Sequence, residues 1–184
     1  MAETVITELY IVSADSAVLV EARSSVGAIS FGTTQLSGTV RGHVEEGRID
    51  TSSPLSVLAE VPVASLQSGN AVYDSELRSR LDARRFPHIV AELARLEPLE
   101  SGRYELEGDL TIHGHAHRYS CTASMEVSDG PTLLVSGSTV IDMRDYDIAL
   151  PSLMMLRIYP DVTVHFRIKA AGAPGPDDTE KVDA

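Results

Sequence analysis

Along much of the chain, hydrophobic and polar residues take turns. In SAVLVEAR, Val18, Val20 and Ala22 share one side; in PLSVLAEVPV, Leu55, Val57, Ala59, Val61 and Val63 do. In DVTVHFRIK the shared side holds Val162, Val164, Phe166 and Ile168, leaving Thr163, His165, Arg167 and Lys169 opposite. Successive side chains of a strand point to opposite faces of a sheet, so this period of two predicts strands buried on one face. Further strands are predicted over about 28–32, 36–44, 88–96, 103–113, 118–128 and 132–141. Glu46-Gly47, Ser101-Gly102 and Asp129-Gly130-Pro131 punctuate them as turns. Short connections and one apolar face per strand point to an antiparallel barrel or sandwich rather than a parallel sheet.

Two segments break the alternation. In SGNAVYDSELRSRLDARRFP, Tyr73, Leu77 and Leu81 recur at helical spacing, with Asp74 and Glu76 early and Arg84 and Arg85 late, as the helix dipole favours. The spacing predicts an amphipathic helix over about 70–86, stopped before Pro87. IALPSLMMLRIYP alternates poorly and contains Pro151, which predicts a short helical or irregular cap over about 149–158. From Ala170 the small, Pro/Gly-containing acidic sequence is expected to be a disordered tail, 170–184, after a single barrel domain, 1–169.

The stretch GDLTIHGHAHRYSC, Gly108–Cys121, carries the most chemistry. His113, His115 and His117 alternate, and one strand would project all three from a single face, as metal ligands require. Parity opposes that strand. Leu106, Leu110 and Ile112 are even-numbered, whereas the inward set beyond the cluster, Tyr119, Cys121, Ala123, Met125 and Val127, is odd-numbered. Strand side chains alternate without exception, so the chain turns or bulges between the two runs, and Gly114 is the pivot. The histidines then become solvated hairpin residues, with one structural hydrogen bond from His113. No metal site is assigned to them. His43, His88 and His165 scatter over outer faces.

Composition narrows the function. At 184 residues, 43% of them hydrophobic, and a formal charge of -12, the chain suits one acidic globular domain and repels phosphate backbones and anionic lipid surfaces. Nucleic acid is excluded as an expected partner. Cys121 has no partner for an internal bridge, the N-terminal segment lacks a basic leader, and no apolar run approaches the ~20 residues that span a bilayer. A cytoplasmic location without a transmembrane segment is expected; a homodimer is left open. No nucleophile elbow, phosphate loop, dinucleotide fingerprint or CxxC motif occurs. Cys121, among apolar neighbours, reads as a small hydrophobe rather than a thiolate. The Arg78, Arg80, Arg84 and Arg85 run reads as a solvated helix face, or as a source of one contact to the barrel rim or to a polar lipid head.

Four motifs resemble those of one known family. DLTIHG, Asp109–Gly114, resembles the hairpin signature GDLTIHGVTR of the YceI-like family of lipid-binding, lipocalin-like barrels. NAVYDSELRSRLDARRFPHIVAE, Asn70–Glu92, is similar to that family's helix and following strand; TVIDMRDYDI, Thr139–Ile148, resembles its late TxxRxxFGI turn; and Ser16, Val18 and Val20 stand where its first barrel strand lies. The resemblance implies an all-β, antiparallel eight-stranded barrel that holds an isoprenoid lipid or a quinone tail. The chain departs from the pattern at Tyr73, where many members have Arg, at Tyr146 in place of Phe, and at Asp147 in place of Gly.

Side-chain size adds an independent reason for a hollow interior. Trp is absent and Phe occurs three times, while inward positions include Ala22, Ala59, Ala91, Ala123 and Gly137. Small residues leave volume that a linear hydrocarbon could fill, or else let a flattened barrel close on itself. The expected ligand-binding set comprises Val18, Val20, Val57, Ala59, Tyr119, Cys121, Ala123, Met125, Val164 and Phe166 on strands. Tyr73, Leu77 and Leu81 on the helix, and Leu153, Met154 and Met155 in the cap, line or cover its entrance. The expected function is non-catalytic binding of an elongated apolar small molecule, with no cofactor. The alternative is a metal-dependent or otherwise catalytic barrel using His113, His115 and His117.

Overall fold

The computed structural model describes residues 6–45, 48–128, 132–149, 152–153 and 156–172. Its strands are β1 (Ile6–Ile11), β2 (Ala17–Ser24), β3 (Gly27–Thr33), β4 (Ser37–Glu45), β5 (Arg48–Ile49), β6 (Ser56–Pro62), β7 (His88–Pro98), β8 (Arg103–Ile112), β9 (His115–Ser128), β10 (Thr132–Asp142), β11 (Ser152–Leu153) and β12 (Leu156–Ala171). One helix, α1 (Ala71–Arg80), interrupts them. Neighbours pair antiparallel in the order β1-β4-β6-β7-β8-β9-β10-β12, and β12 returns to β1, closing an eight-stranded barrel.

The hairpin of β2 and β3 extends this ring. The early part of β12 pairs with β2, Val162 against Ala22 and Phe166 against Val18, while its last residues pair with β1, Ala170 against Ile11. β1 and β2 therefore run end to end beside β12, and β3 and β4 run end to end beside them. Ser16 holds the first junction: it is 2% exposed, its hydroxyl donates to Val12 O at 2.7 Å and accepts from Lys169 N at 3.0 Å. β1 carries no clear alternation: among its described side chains Leu9 alone is deeply buried, and Tyr10 beside it is exposed.

α1 covers a seam in this wall. Among the described residues the outer edge of β3 meets the rest of the sheet only at the Gly32–Gln67 bridge. β6 ends at Pro62 and the chain leaves the sheet. Tyr73 and Leu77 pack there against Ile29, Phe31 and Leu66. Asn70 caps the helix, its side chain accepting from Val72 N at 2.9 Å and Tyr73 N at 3.3 Å, which satisfies N–H groups that have no partner inside the helix.

The helix is shorter than the periodicity predicts, ending at Arg80 rather than about 86. Asp82 adopts φ 45°, and Ala83 N donates to Arg78 O at 3.0 Å while Asp82 N donates to Ser79 O at 3.2 Å, the paired bonds of a Schellman stop. Leu81 keeps the apolar period one step past the last helical residue and disguises that stop. The expected cap over 149–158 also differs. Ser152–Leu153 and the start of β12 form a strand pair, Ser152 against Arg157 and Leu153 against Leu156, because the ladder satisfies backbone groups that an isolated short helix would leave open. Met154 and Met155 lie outside the described residues. β12 runs through Ala171, past the boundary drawn at 169, with Ala170 1% exposed against Leu133; residues 173–184 lie outside the described set.

Two buried clusters lie toward the two ends of the barrel. At the β8–β9 hairpin end lie Ala22, Leu81, Ile112, Ile141, Tyr146 and Val162. At the other lie Leu9, Val40, Ile49, Leu133 and Ala170. Each large apolar side chain buried this way contributes about 1.5–3 kcal/mol.

Candidate functional site

Between these clusters and along them, from Ile112 and Ile141 to Leu133 and Ala170, the interior stays open. A cavity of about 380 Å³ runs among the strands and under α1, within the size range of small-molecule sites. Of the small residues expected on inward positions, Ala22, Ala59 and Ala91 border it, whereas Ala123 and Gly137 do not. Ala59 faces Ala91 across β6 and β7, Gly108 lies beside Leu93, and Leu106 pairs with Cys121, so the middle layer cannot reach across the lumen. The wall is almost wholly hydrocarbon.

Most of the residues named from alternation lie on that wall: Val18 and Val20 of β2, Val57 and Ala59 of β6, Tyr119, Cys121 and Met125 of β9, and Val164 and Phe166 of β12. Tyr73, Leu77 and Leu81 border it from the helix side. Ala123 does not. It is 2% exposed and packed so closely to Gly137 that a Cβ added there would sit 3.1 Å from its own. The side chain of Leu153 and the whole of Met154 and Met155 lie outside the described residues. Ala91, Ile29, Phe31, Ile89 and Thr139 also border the cavity. Parity along β3, β7 and β10 was the signal for them. Of the arginine run, Arg80 alone reaches the wall, from α1, and Glu76, read from the sequence only as a charge favouring the helix dipole, reaches it beside Arg80.

The histidine segment folds as parity predicts. β8 and β9 are joined by the two residues His113 and Gly114, at φ 52° and 77°, the paired positive values of a tight hairpin that matches strand twist. A Cβ on Gly114 would lie 2.6 Å from the Phe86 ring, so glycine serves both conformation and space. His113 Nδ1 lies 3.2 Å from Tyr146 O and its ring meets Phe86 edge-on at 5.1 Å. His115 is exposed, while His117 is half-buried with its ring edge against Tyr146 at 5.2 Å. His113 and His117 both engage Tyr146, and the His113 and His115 ring centroids lie 6.1 Å apart. Among the described residues no three His, Cys, Asp or Glu side chains are grouped to hold a metal ion.

Polar contacts concentrate at this end of the barrel. Tyr119 OH donates to Asp145 Oδ2 at 2.8 Å, and Tyr146 OH donates to Leu110 O at 3.1 Å. Burial holds both phenols above the ordinary tyrosine range. Burial likewise pushes the Cys121 thiol up, the opposite of what an activated nucleophile needs. Two departures from the family pattern are accommodated here. Tyr146 brings a hydroxyl into a fully buried site and finds a carbonyl for it; Asp147 sits at φ 52°, a left-handed position that Gly takes without strain and Asp tolerates.

Comparison with known proteins agrees with this architecture. The chain overlays BcnA of Burkholderia cenocepacia with a TM-score of 0.75 at 17% identity, covering 88% of this chain and 99% of that one. A polyisoprenoid binding domain from Saccharophagus degradans, implicated in plant cell wall breakdown, gives 0.71 at 13% identity over 92% and 100%. The YCEI protein of Campylobacter jejuni gives 0.61 at 16% identity over 76% and 82%. At such identities these likenesses concern the fold. No curated protein matches the chain by sequence. The model of the YceI-like domain matches residues 18–170, the whole span from the first cavity-lining residue of β2 to the buried end of β12, and the chain therefore belongs to the YceI-like domain family.

Proposed function

We propose that the chain binds and carries an elongated apolar small molecule, an isoprenoid lipid or the tail of a quinone, without chemical change. The supporting observation is the cavity itself: about 380 Å³ of space bounded by hydrocarbon inside a closed barrel. Such a space, empty, lacks dispersion partners on one side of every lining atom, and water gains few hydrogen bonds by entering it. A slender chain restores the contacts at about 0.8 kcal/mol per buried CH₂, so ten buried carbons contribute about 8 kcal/mol toward the cost of immobilising a ligand. The neighbour from Saccharophagus degradans, described as a polyisoprenoid binding domain, favours a prenyl chain over other lipids. A non-catalytic role fits the wall chemistry, since its thiol and its Tyr119 phenol are both shifted toward the protonated form.

Native mass spectrometry of the purified protein, followed by organic extraction, tests this reading. The expected result is an adduct that extraction removes and that analyses as a prenyl lipid or quinone. Protein that carries no adduct and takes up none from prenyl lipid micelles, while remaining folded, refutes it.

A further inference from the structure

One edge of the helix that roofs the cavity is charged. Tyr73, Glu76, Leu77, Arg80 and Leu81 border the lumen at i, i+3, i+4, i+7 and i+8, a single helix face. Leu77 and Leu81 lie to one side of Tyr73, and Glu76 and Arg80 to the other. Arg80 Nε donates to Glu76 Oε1 at 2.6 Å. The two side chains remain 26% and 36% exposed, so the pair touches both the lumen and solvent.

Its position is telling. α1 lies over the seam where, among the described residues, β3 meets the rest of the sheet only at the Gly32–Gln67 bridge. The pair thus sits where the lining of the lumen is itself exposed to water. Glu92 and Asp109 also border the cavity, but alternation places them on the outer surface, where Asp109 is ion-paired with Arg118 at 2.7 Å. Arg78, Arg84 and Arg85 do not border it. The charge facing a ligand at this spot is one guanidinium and one carboxylate, which sum to zero.

We propose that Glu76 and Arg80 form the head-group subsite of the cavity, selecting an uncharged head that bears a hydroxyl or carbonyl and rejecting a phosphorylated one. This rests on the lipid-binding reading above. Arg80 has N–H donors beyond the one Glu76 takes, and they can donate to a head-group oxygen; Glu76 keeps a second oxygen that can accept from a hydroxyl. A diphosphate would meet one guanidinium already engaged and a carboxylate of its own sign, on a protein of formal charge -12.

Three ligands with one tail decide the matter: geranylgeraniol, its diphosphate and the matching hydrocarbon, each titrated to displace a fluorescent naphthylamine probe from the delipidated protein. The alcohol is expected to bind about tenfold more tightly than the hydrocarbon, the worth of one charge-assisted hydrogen bond, and the diphosphate no more tightly than the hydrocarbon. Arg80→Met removes the alcohol's advantage and leaves the hydrocarbon unchanged. Glu76→Gln leaves Arg80 without its counter-charge, so the diphosphate gains about tenfold relative to the alcohol. Equal binding of alcohol and hydrocarbon, tightest binding of the diphosphate by the unmodified protein, or equal loss of all three ligands in Arg80→Met overturns the subsite. If none of the three displaces the probe, the lipid cavity itself fails, and the subsite with it.

Discussion

Ala91→Leu distinguishes a hollow barrel from a packed one by the sign of its effect. Ala91 lines the lumen, flanked by Ala59 on β6 and Leu110 on β8. Leucine adds three carbons, worth about 2.4 kcal/mol at ~0.8 kcal/mol each, less ~0.5–1 kcal/mol for the ordered side chain. The delipidated variant should therefore gain about 1.5 kcal/mol, a rise in Tm of about 3–6 °C for a domain of this size. The same three carbons occupy ligand space. Losing about 2.4 kcal/mol of contact weakens a prenyl ligand about 50-fold. Thermal unfolding by circular dichroism after solvent extraction, with a ligand titration on the same samples, reads both effects. Gly108→Ala supplies the contrast, because its Cβ would lie 2.6 Å from the Glu92 carbonyl oxygen and overpacking costs about 1–3 kcal/mol. If Ala91→Leu is destabilised to the same degree as Gly108→Ala, the interior is already full and the reasoning fails.

Other expectations concern the hairpin end, the thiol and a surface carboxylate. Asp147→Gly should raise stability by about 1 kcal/mol, since glycine holds a left-handed φ without the penalty of a Cβ; a lower midpoint in urea would count against it. Alkylation of Cys121 at neutral pH should be slower than that of a free thiol and should nearly stop when the lumen is occupied, because burial raises its pKa and the ligand would cover it; ligand-independent kinetics would contradict its placement on the wall. Asp50 accepts hydrogen bonds from the Ser52 and Ser53 hydroxyls and from Ser52 N, which lower its pKa from 3.8 to about 2. Its folded pKa is depressed, so its contribution is present above the ordinary carboxylate pKa and fades as pH falls through about 2; a carboxyl resonance titrating at 3.8 or above would dispose of the loop geometry.

Much of the barrel was readable because alternation is a local property. Val18 and Val20, Val57 and Ala59, and Val164 and Phe166 announce their faces within a few residues, and the parity reversal around Gly114 located a turn that the histidines obscured. What escaped depends on distance or on backbone conformation. Nothing in hydrophobicity marks Asp82 as left-handed, so the helix looked longer than it is. Ala91 and Ala123 are the same residue on inward-facing positions, yet one borders the lumen and the other is pressed against Gly137; size alone does not reveal what stands opposite. Glu76 and Arg80 look like any helical ion pair until the seam beneath them is seen.

The closure between β1 and β12 is short: Tyr10 pairs with Ala171 and Ile11 with Ala170, and Val12 N donates to Lys169 O at 2.8 Å. Along most of its length β12 is stitched instead to β2 and β10. The ring is thus fastened by a clasp of a few residues near each extremity of the described chain. Trimming at Ile11 or at Lys169 would unfasten it and expose two raw strand margins, so a shortened version of this protein should polymerise edge to edge.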